Sequence, residues 1–361
     1  MKILQIINSL NTGGAEKLLL ETIPLYNKKG LIVDLLILDG TDYPFLKELI
    51  KQDCCKIISL GQGSVYNPLL IFKIIPYLKR YDLVHVHLFP AQYWVVLAKL
   101  ISFSKVKLVF TEHNTINRRL ENILFRLIDQ FIYKFYKQII CITEEVFNII
   151  QKHTNLPAKR FQIIENGVNL TTIQQAVAVE KSKIVPSFEV TDKIIIQVAG
   201  FRPQKDQQTL IKSMNYLPEN VKLILVGDGI LRKEHESLVK KLNLENKVFF
   251  LGIRTDVPQL LKGSDIVVLS SKYEGLSLSS IEGMAAGKPF VASDVPGLSG
   301  VVKGAGLLFL QGDEKALVKK ITELLNDEKL YNKVSASCLE RAALYGINNM
   351  VEKHITLYRS I

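Results

Sequence analysis

Short apolar runs alternate with amphipathic stretches along almost the whole of this chain, and that rhythm constrains its fold more than any other feature. Apolar runs bounded by turn residues suit strands buried on both faces, and the amphipathic stretches suit the crossover helices that parallel strands require. In the first half the pattern predicts strands at 2–8, 31–38, 82–87, 106–111 and 137–142, with helices at 15–28, 68–80, 90–103, 120–136 and 143–153. It breaks at Glu165-Asn-Gly-Val-Asn169 and through an irregular 171–192. It then restarts with strands at 193–199, 221–226, 247–251, 265–269 and 289–293 and helices near 206–217, 231–242, 256–262 and 278–286. Two doubly wound α/β domains facing each other across a cleft are expected, with ligands at the carboxyl ends of the strands.

Composition agrees with two such domains: 361 residues, 48% of them apolar, suffice for two cores. No apolar run reaches the roughly eighteen residues of a spanning helix. The opening Met1-Lys-Ile-Leu-Gln-Ile-Ile-Asn8 is short for a signal peptide and reads as a first strand, which points to the cytoplasm. Four cysteines, at 54, 55, 141 and 338, form no Cys-x-x-Cys spacing, and adjacent Cys54 and Cys55 are poorly placed to bridge each other, so reduced thiols are expected. The net charge of +11 is uneven, with 21 Lys and Arg against 14 Asp and Glu in residues 1–170 and 25 against 21 beyond. Anionic lipid or phosphorylated ligands fit that balance. No nucleic-acid module signature accompanies it, and no nucleic-acid partner is expected.

The loops that follow the strands carry the chemistry. Glu274-Gly-Leu-Ser-Leu-Ser-Ser-Ile-Glu282 sets two carboxylates eight residues apart around a helix start. That spacing returns to nearly one helical face, and the helix N-terminus between them attracts phosphate. Hydroxyl-bearing sugar, diphosphate and ribose in a row describe a nucleotide sugar. Upstream, Val198-Ala-Gly200-Phe-Arg202-Pro-Gln-Lys205-Asp206 follows a strand and supplies two cations suited to a diphosphate. Asn11-Thr-Gly13-Gly14-Ala-Glu16 opens the first helix where backbone amides can approach a ligand. Asp82-Leu-Val-His85-Val-His87 and Thr111-Glu112-His113-Asn114 bring imidazoles to two strand ends. The His-x-His pair has no third ligand at recognisable spacing, which disfavours zinc and leaves hydrogen bonding to a sugar hydroxyl. Phe250-Leu-Gly252-Ile-Arg254-Thr-Asp256 ends a further strand.

In this order the pieces resemble the motifs of glycosyltransferase family four, retaining enzymes with the two-domain GT-B fold. Glu274 and Glu282 match the family's Glu-x7-Glu, and Gly13-Gly14-Ala-Glu16 its Gly-Gly-Ala-Glu loop. The resemblance runs from about residue 8 to about residue 310. It implies an acceptor-binding Rossmann-like domain over 1–170, a nucleotide-sugar domain over 190–344, and a C-terminal helix, 345–361, crossing back to the first. Glu274 would then hold donor-sugar hydroxyls and Glu282 the ribose. Lys205, Arg202 and the amides of Gly275, Leu276 and Ser277 would face the leaving diphosphate. Gly14 would lie against the donor, His113 would line the donor-sugar site, and Arg254 would pass beside the base. The chain contains no Asp-x-Asp, so neither metal nor cofactor is implied beyond the donor, a UDP-sugar or GDP-sugar. A glycan or lipid-linked glycan of cell-surface polysaccharide biosynthesis is the implied acceptor. One departure stands out: alignment on Gln-Lys-Asp puts Gly200 where the family has Arg, with Arg202 two residues later.

Three alternatives stay open. A nucleotide-sugar 2-epimerase shares the architecture, although the pairing of Gly-Gly-Ala-Glu with Glu-x7-Glu points away from it. A catalytically silent nucleotide-sugar-binding protein fits a displaced Arg. A nicotinamide dehydrogenase would need Gly-x-Gly-x-x-Gly, which is absent.

In 118–138, Leu120, Ile123, Leu124, Leu127, Ile128, Phe131, Ile132 and Phe135 repeat at helical spacing. That stripe is expected to pack on the core of the first domain. Arg119, Arg126, Tyr133 and Lys137 fall together on the opposite face, a basic stripe with an aromatic that suits an anionic bilayer. A peripheral enzyme at the inner face of the cytoplasmic membrane follows as an expectation.

Overall fold

The computed structural model of the chain describes residues 1–113 and 122–361. These divide into two compact units, one of Met1–Gly167 with Ile347–Ile361 and one of Val168–Gly346.

The first unit holds a seven-stranded sheet, every strand parallel to its neighbours. Its strands are β1 Lys2–Ile7, β2 Ile32–Ile37, β3 Ile57–Ser59, β4 Leu83–His87, β5 Lys107–Glu112, β6 Gln138–Cys141 and β7 Phe161–Ile163, in the order β3-β2-β1-β4-β5-β6-β7. The order reverses direction between β1 and β4, which opens a crevice beyond their carboxyl ends. Helices Gly14–Lys28 and Ile347–Ser360 pack on each other within this unit. Strands covered on both faces should be wholly apolar, yet Gln5 on β1 and His85 and His87 on β4 lie buried, with Gln5 and His85 in direct register.

The second unit repeats the plan with six parallel strands. β8 Lys193–Val198, β9 Val221–Val226, β10 Val248–Gly252, β11 Ile266–Leu269, β12 Phe290–Ser293 and β13 Leu307–Phe309 lie in the order β10-β9-β8-β11-β12-β13. The reversal falls between β8 and β11. Its later helices begin on acidic caps: Asp313 accepts from the Ala316 amide ahead of Glu314–Asn326, and Asp327 from the Leu330 amide ahead of Glu328–Ala343.

Every strand expected from the apolar runs is present. The structure adds β3, β7 and β13, three-residue strands with partly exposed positions that make no continuous apolar run. It also adds helices Pro44–Gln52, Glu314–Asn326 and Glu328–Ala343. The stretch 171–192, read as irregular, contains most of the short helix Leu170–Gln174 and all of Lys181–Ile184.

The helix expected at 120–136 is Ile123–Ile132 followed by a 3-10 turn, Tyr133–Phe135, and its orientation corrects the sequence reading. Ile123, Leu124, Leu127 and Phe131 are 70%, 62%, 59% and 49% exposed, whereas Asp129 and Ile132 are buried. Buried partners explain the inversion. Asp129 accepts from the Tyr93 hydroxyl at 2.5 Å and bonds His153 Nε2 at 2.9 Å, so the carboxylate is held inward. Tyr133 is buried as well, its hydroxyl donating to Glu112 at 2.9 Å, and it takes no part in a basic surface stripe. Arg126 and Lys137 are exposed, with Lys134 between them in sequence; Arg119 and Leu120 lie outside the described residues.

Candidate active site

In the second unit, the loops leaving β8 and β11 flank the point where the strand order reverses, and their backbones are tied together. The Lys272 amide donates to Gln204 O at 2.7 Å, and Ser270 Oγ donates to Asp206 O at 2.9 Å. Gln197, buried at the end of β8, donates from Nε2 to Lys205 O at 3.2 Å. Lys205 and Glu274, far apart in sequence, are thereby brought to a contact of 2.5 Å between Nζ and Oε1. Ser271 Oγ donates to the same oxygen at 2.6 Å. Glu274 is only 6% exposed, so its charge needs both partners.

The Glu274 loop is backed by a residue that sequence reasoning missed. Gly297 has φ +81, and a Cβ there would stand 2.1 Å from Glu274 O and 2.4 Å from Gly275 O. Only glycine allows that approach. Its sequence signal is the Val-Pro-Gly turn after β12. Gly275, Leu276 and Ser277 lead into the helix Leu278–Ala285, which carries Glu282 on its buried side, 5% exposed. The first amides of a helix lack carbonyl partners within the helix and point out of its first turn.

Arg202 precedes the 3-10 turn Pro203–Lys205 and is exposed. A Cβ added to Gly200 would stand 3.8 Å from Arg202 Nε, so the guanidinium stem lies over the position left bare by glycine. Among the described residues its side chain has no hydrogen-bond or ion-pair partner. Arg254 differs: its Nε and Nη2 bind both oxygens of Asp256 at 2.7 and 2.6 Å, a bidentate pair that holds the Asp256 carboxyl below its ordinary range.

In the first unit, Gly14 opens the helix Gly14–Lys28, capped by Gly13 in an extended conformation. His113 follows β5, and its Nε2 lies 3.1 Å from His87 Nδ1. His85 bonds Thr111 Oγ1 through Nε2 and the Tyr358 hydroxyl through Nδ1, both at 2.7 Å, and His354 Nδ1 bonds the Tyr26 hydroxyl at 2.5 Å. Burial keeps all four imidazoles neutral. It holds His113 down to about 4 and, with the nearby His113, His354 to about 3; it pushes His85 and His87 well below the usual histidine range. His87, His113, His354, Thr111 and Asn166 line a cavity of about 20 Å³, room for roughly one water. The described residues contain no group of three or more His, Cys, Asp or Glu placed to hold a metal ion.

Two Rossmann-like units, the second with a lysine and a carboxylate joined at its switch point, define a GT-B type protein. Residues 12–172 match the family described as glycosyltransferase family 4, and 179–338 match the one described as glycosyl transferases group 1. Together these span most of the chain, and the chain belongs to this glycosyltransferase family.

A UDP-Gal:alpha-D-GlcNAc-diphosphoundecaprenol alpha-1,3-galactosyltransferase of Escherichia coli is 25% identical over 336 residues, covering 88% of this chain and 85% of that protein. The N-acetylgalactosamine-N,N'-diacetylbacillosaminyl-diphospho-undecaprenol 4-alpha-N-acetylgalactosaminyltransferase of Campylobacter jejuni is 25% identical over 343 residues, covering 90% of each. Among solved structures, HepE of Anabaena in complex with UDP and glucose superposes with a TM-score of 0.86 at 22% identity, over the whole of both chains.

Proposed function

We propose that this glycosyltransferase moves a sugar from a UDP-sugar to a lipid-linked glycan, with retention of configuration and without a metal, at an anionic membrane surface. The observation that carries the reading is the contact between Lys205 and Glu274 at the switch point of the second unit. Breaking the bond from sugar to diphosphate develops negative charge on phosphate and positive charge on the ring. A cation and a hydroxyl-binding carboxylate side by side suit the two ends of that bond.

Arg202 supplies the second cation. Its stem over Gly200 supports its standing in for the arginine that the family carries at that position. Two charge-assisted contacts, each about 1.5–3 kcal/mol, would serve where other sugar-nucleotide enzymes use a metal. Glu282, on the helix that follows the Glu274 loop, is assigned the ribose. Arg254, already held by Asp256, is assigned to shaping the base pocket rather than to a new charge contact.

UDP is favoured as the base because the Escherichia coli relative is named for UDP-Gal and HepE is described with UDP. Both curated relatives are named for α products on diphosphoundecaprenol-linked acceptors, which supports retention and a lipid-linked acceptor. The exposed apolar face of Ile123–Ile132, beside Arg126, Lys134 and Lys137, supports contact with an anionic bilayer, with the apolar side inserted and the cations at the headgroups.

Thermal-shift titration with UDP-, GDP- and ADP-sugars, followed by transfer to a diphosphoundecaprenol glycan with and without chelator, tests the reading. Stabilisation by a UDP-sugar and a chelator-insensitive α product are expected. Stabilisation by none of the donors, or an inverted product, overturns it. Epimer formation without acceptor would favour the 2-epimerase.

A further inference from the structure

Four lysines converge on one carboxylate at the amino edge of the second unit's sheet, the edge opposite the loops that hold Lys205 and Glu274. Asp265 directly precedes β11, and Ile266 pairs with Ile195 of β8, so Lys193 at the start of β8 lies beside it. On the other side Val267 pairs with Phe290 of β12, and its amide donates to Pro289 O at 3.0 Å, which brings Lys288 alongside. Lys262 stands in the last turn of the helix Val257–Gly263, just before Asp265. Val179 lies against that helix end, its carbonyl oxygen 2.7 Å from where a Cβ on Gly263 would stand, and so carries Lys181 to the same place.

Asp265 Oδ2 accepts from the Ile194 amide at 2.8 Å and stands 3.7 Å from Lys181 Nζ, while Oδ1 stands 4.0 Å from Lys193 Nζ. The Tyr331 hydroxyl donates to Asp265 O at 2.9 Å and anchors the turn. Asp192, next to Lys193 in sequence, turns its carboxylate to the Glu189 amide at 2.9 Å, and Glu180 pairs with Lys183. Among the described residues the side chains of Lys262 and Lys288 have neither a hydrogen bond nor an ion pair, yet both residues are partly withdrawn from water. Burial, opposed by Asp265 and reinforced by Lys262 and Lys181, holds the Lys288 ammonium below its ordinary range. Like charges gathered around too little acid repel one another, and an anion placed among them removes that repulsion.

We propose that Lys181, Lys193, Lys262 and Lys288 form an anion site, distinct from the donor site, that takes a small soluble phosphate compound carrying two or more negative charges. Lysine meets phosphate as a point charge on a flexible stem, so four of them can close around such a group without demanding one orientation of it. Three of the four, Lys181, Lys262 and Lys288, are only partly exposed, which suits a small anion reaching between them better than a flat bilayer. A bound anion would tie together the segments that lead into β8, β11 and β12 and stabilise the second unit.

The test is calorimetry of the full chain with inorganic pyrophosphate. A diphosphate suits Lys205 as well, so the unmodified protein is compared with Lys205→Ala and with Lys262→Gln combined with Lys288→Gln, which keeps most of each stem and removes its charge. Pyrophosphate binding is expected to survive Lys205→Ala, to weaken at least about tenfold in the double variant and to weaken as salt is raised. Lys288→Arg should retain it, and UDP affinity should be unchanged in the double variant. Without ligand the double variant should melt no lower than the unmodified protein, because repulsion is relieved. Loss of all pyrophosphate binding in Lys205→Ala, equal affinity in the double variant, or association with phosphatidylglycerol vesicles without any pyrophosphate binding overturns the proposal. If the double variant does not fold, Lys288→Gln against Lys288→Arg decides. Absence of UDP-sugar binding, with pyrophosphate behaving as stated, would count against the glycosyl donor and not against this site.

Discussion

Lys205 Nζ stands 2.5 Å from Glu274 Oε1, across the point where the strand order of the second unit reverses. The pair neutralises a carboxylate that is otherwise almost wholly withdrawn from water. A diphosphate would draw Lys205 away and leave Glu274, still held by Ser271, for a neutral hydroxyl.

Lys205→Ala should lower transfer by about a hundredfold or more, the scale of losing one preorganised charge stabiliser. The fold should survive, less stable by about 2 kcal/mol because Glu274 loses a charged partner. Adding Glu274→Gln should recover part of that stability, read from denaturant unfolding as a double-mutant cycle. Strictly additive losses would show that the two side chains are not energetically coupled.

The two carboxylates should separate by ligand. Glu282→Ala is expected to weaken free UDP, whereas Glu274→Ala should weaken mainly the intact nucleotide sugar. Calorimetry with both ligands decides, and equal losses in both variants would sink the division of roles.

Gly297→Ala should damage the donor site without touching any charged residue. At φ +81 a side chain costs roughly 1–2 kcal/mol before any clash, and this one would also press on the Glu274 carbonyl. A lowered melting temperature together with weaker UDP-sugar binding is expected. Unchanged affinity would mean that the loop does not need its backing.

The buried histidines should make the first unit sensitive to acid. His113 ionises at about 4 in the native protein, against 6.5 when unfolded. As pH falls through that window the unfolded chain takes up protons that the native ring refuses, so stability is full above about 6.5 and declines toward 4. His354 extends the decline to about 3. The loss is about 1.4 kcal/mol per pH unit for each ring still neutral in the fold. Trp94, the single tryptophan, lies in the first unit and reports its urea unfolding. Equal midpoints near pH 7.5 and pH 5 would falsify this assignment.

Membrane contact should rest on apolar residues as well as charge. Leu124→Ser with Leu127→Ser should reduce co-sedimentation with anionic liposomes at least about tenfold, since each leucine transfers up to about 1.5–3 kcal/mol of apolar surface. Replacing Arg126, Lys134 and Lys137 with Glu should abolish the preference for anionic over neutral vesicles. No change in either variant rejects the surface.

The sequence by itself determined the repeated strand–helix alternation, because parallel strands covered on both faces must be nearly all apolar and leave a local signature. It also located the loops bearing Gly14, His113, Lys205, Arg254, Glu274 and Glu282, since each follows such a run. The three-residue strands β3, β7 and β13 were not legible, because partly exposed positions carry no continuous apolar pattern. Only the tertiary structure decided which loop side chains meet: Lys205 reaches Glu274 because β8 and β11 are neighbours in the sheet, a pairing invisible to local spacing. It likewise decided which face of Ile123–Ile132 turns inward. Periodicity marks a helix but cannot weigh an apolar stripe against Asp129, whose partners Tyr93 and His153 come from other helices. The contacts joining Gln5, His87 and His113 run from β1 to β4 to the residue after β5, a neighbourhood that no single segment encodes.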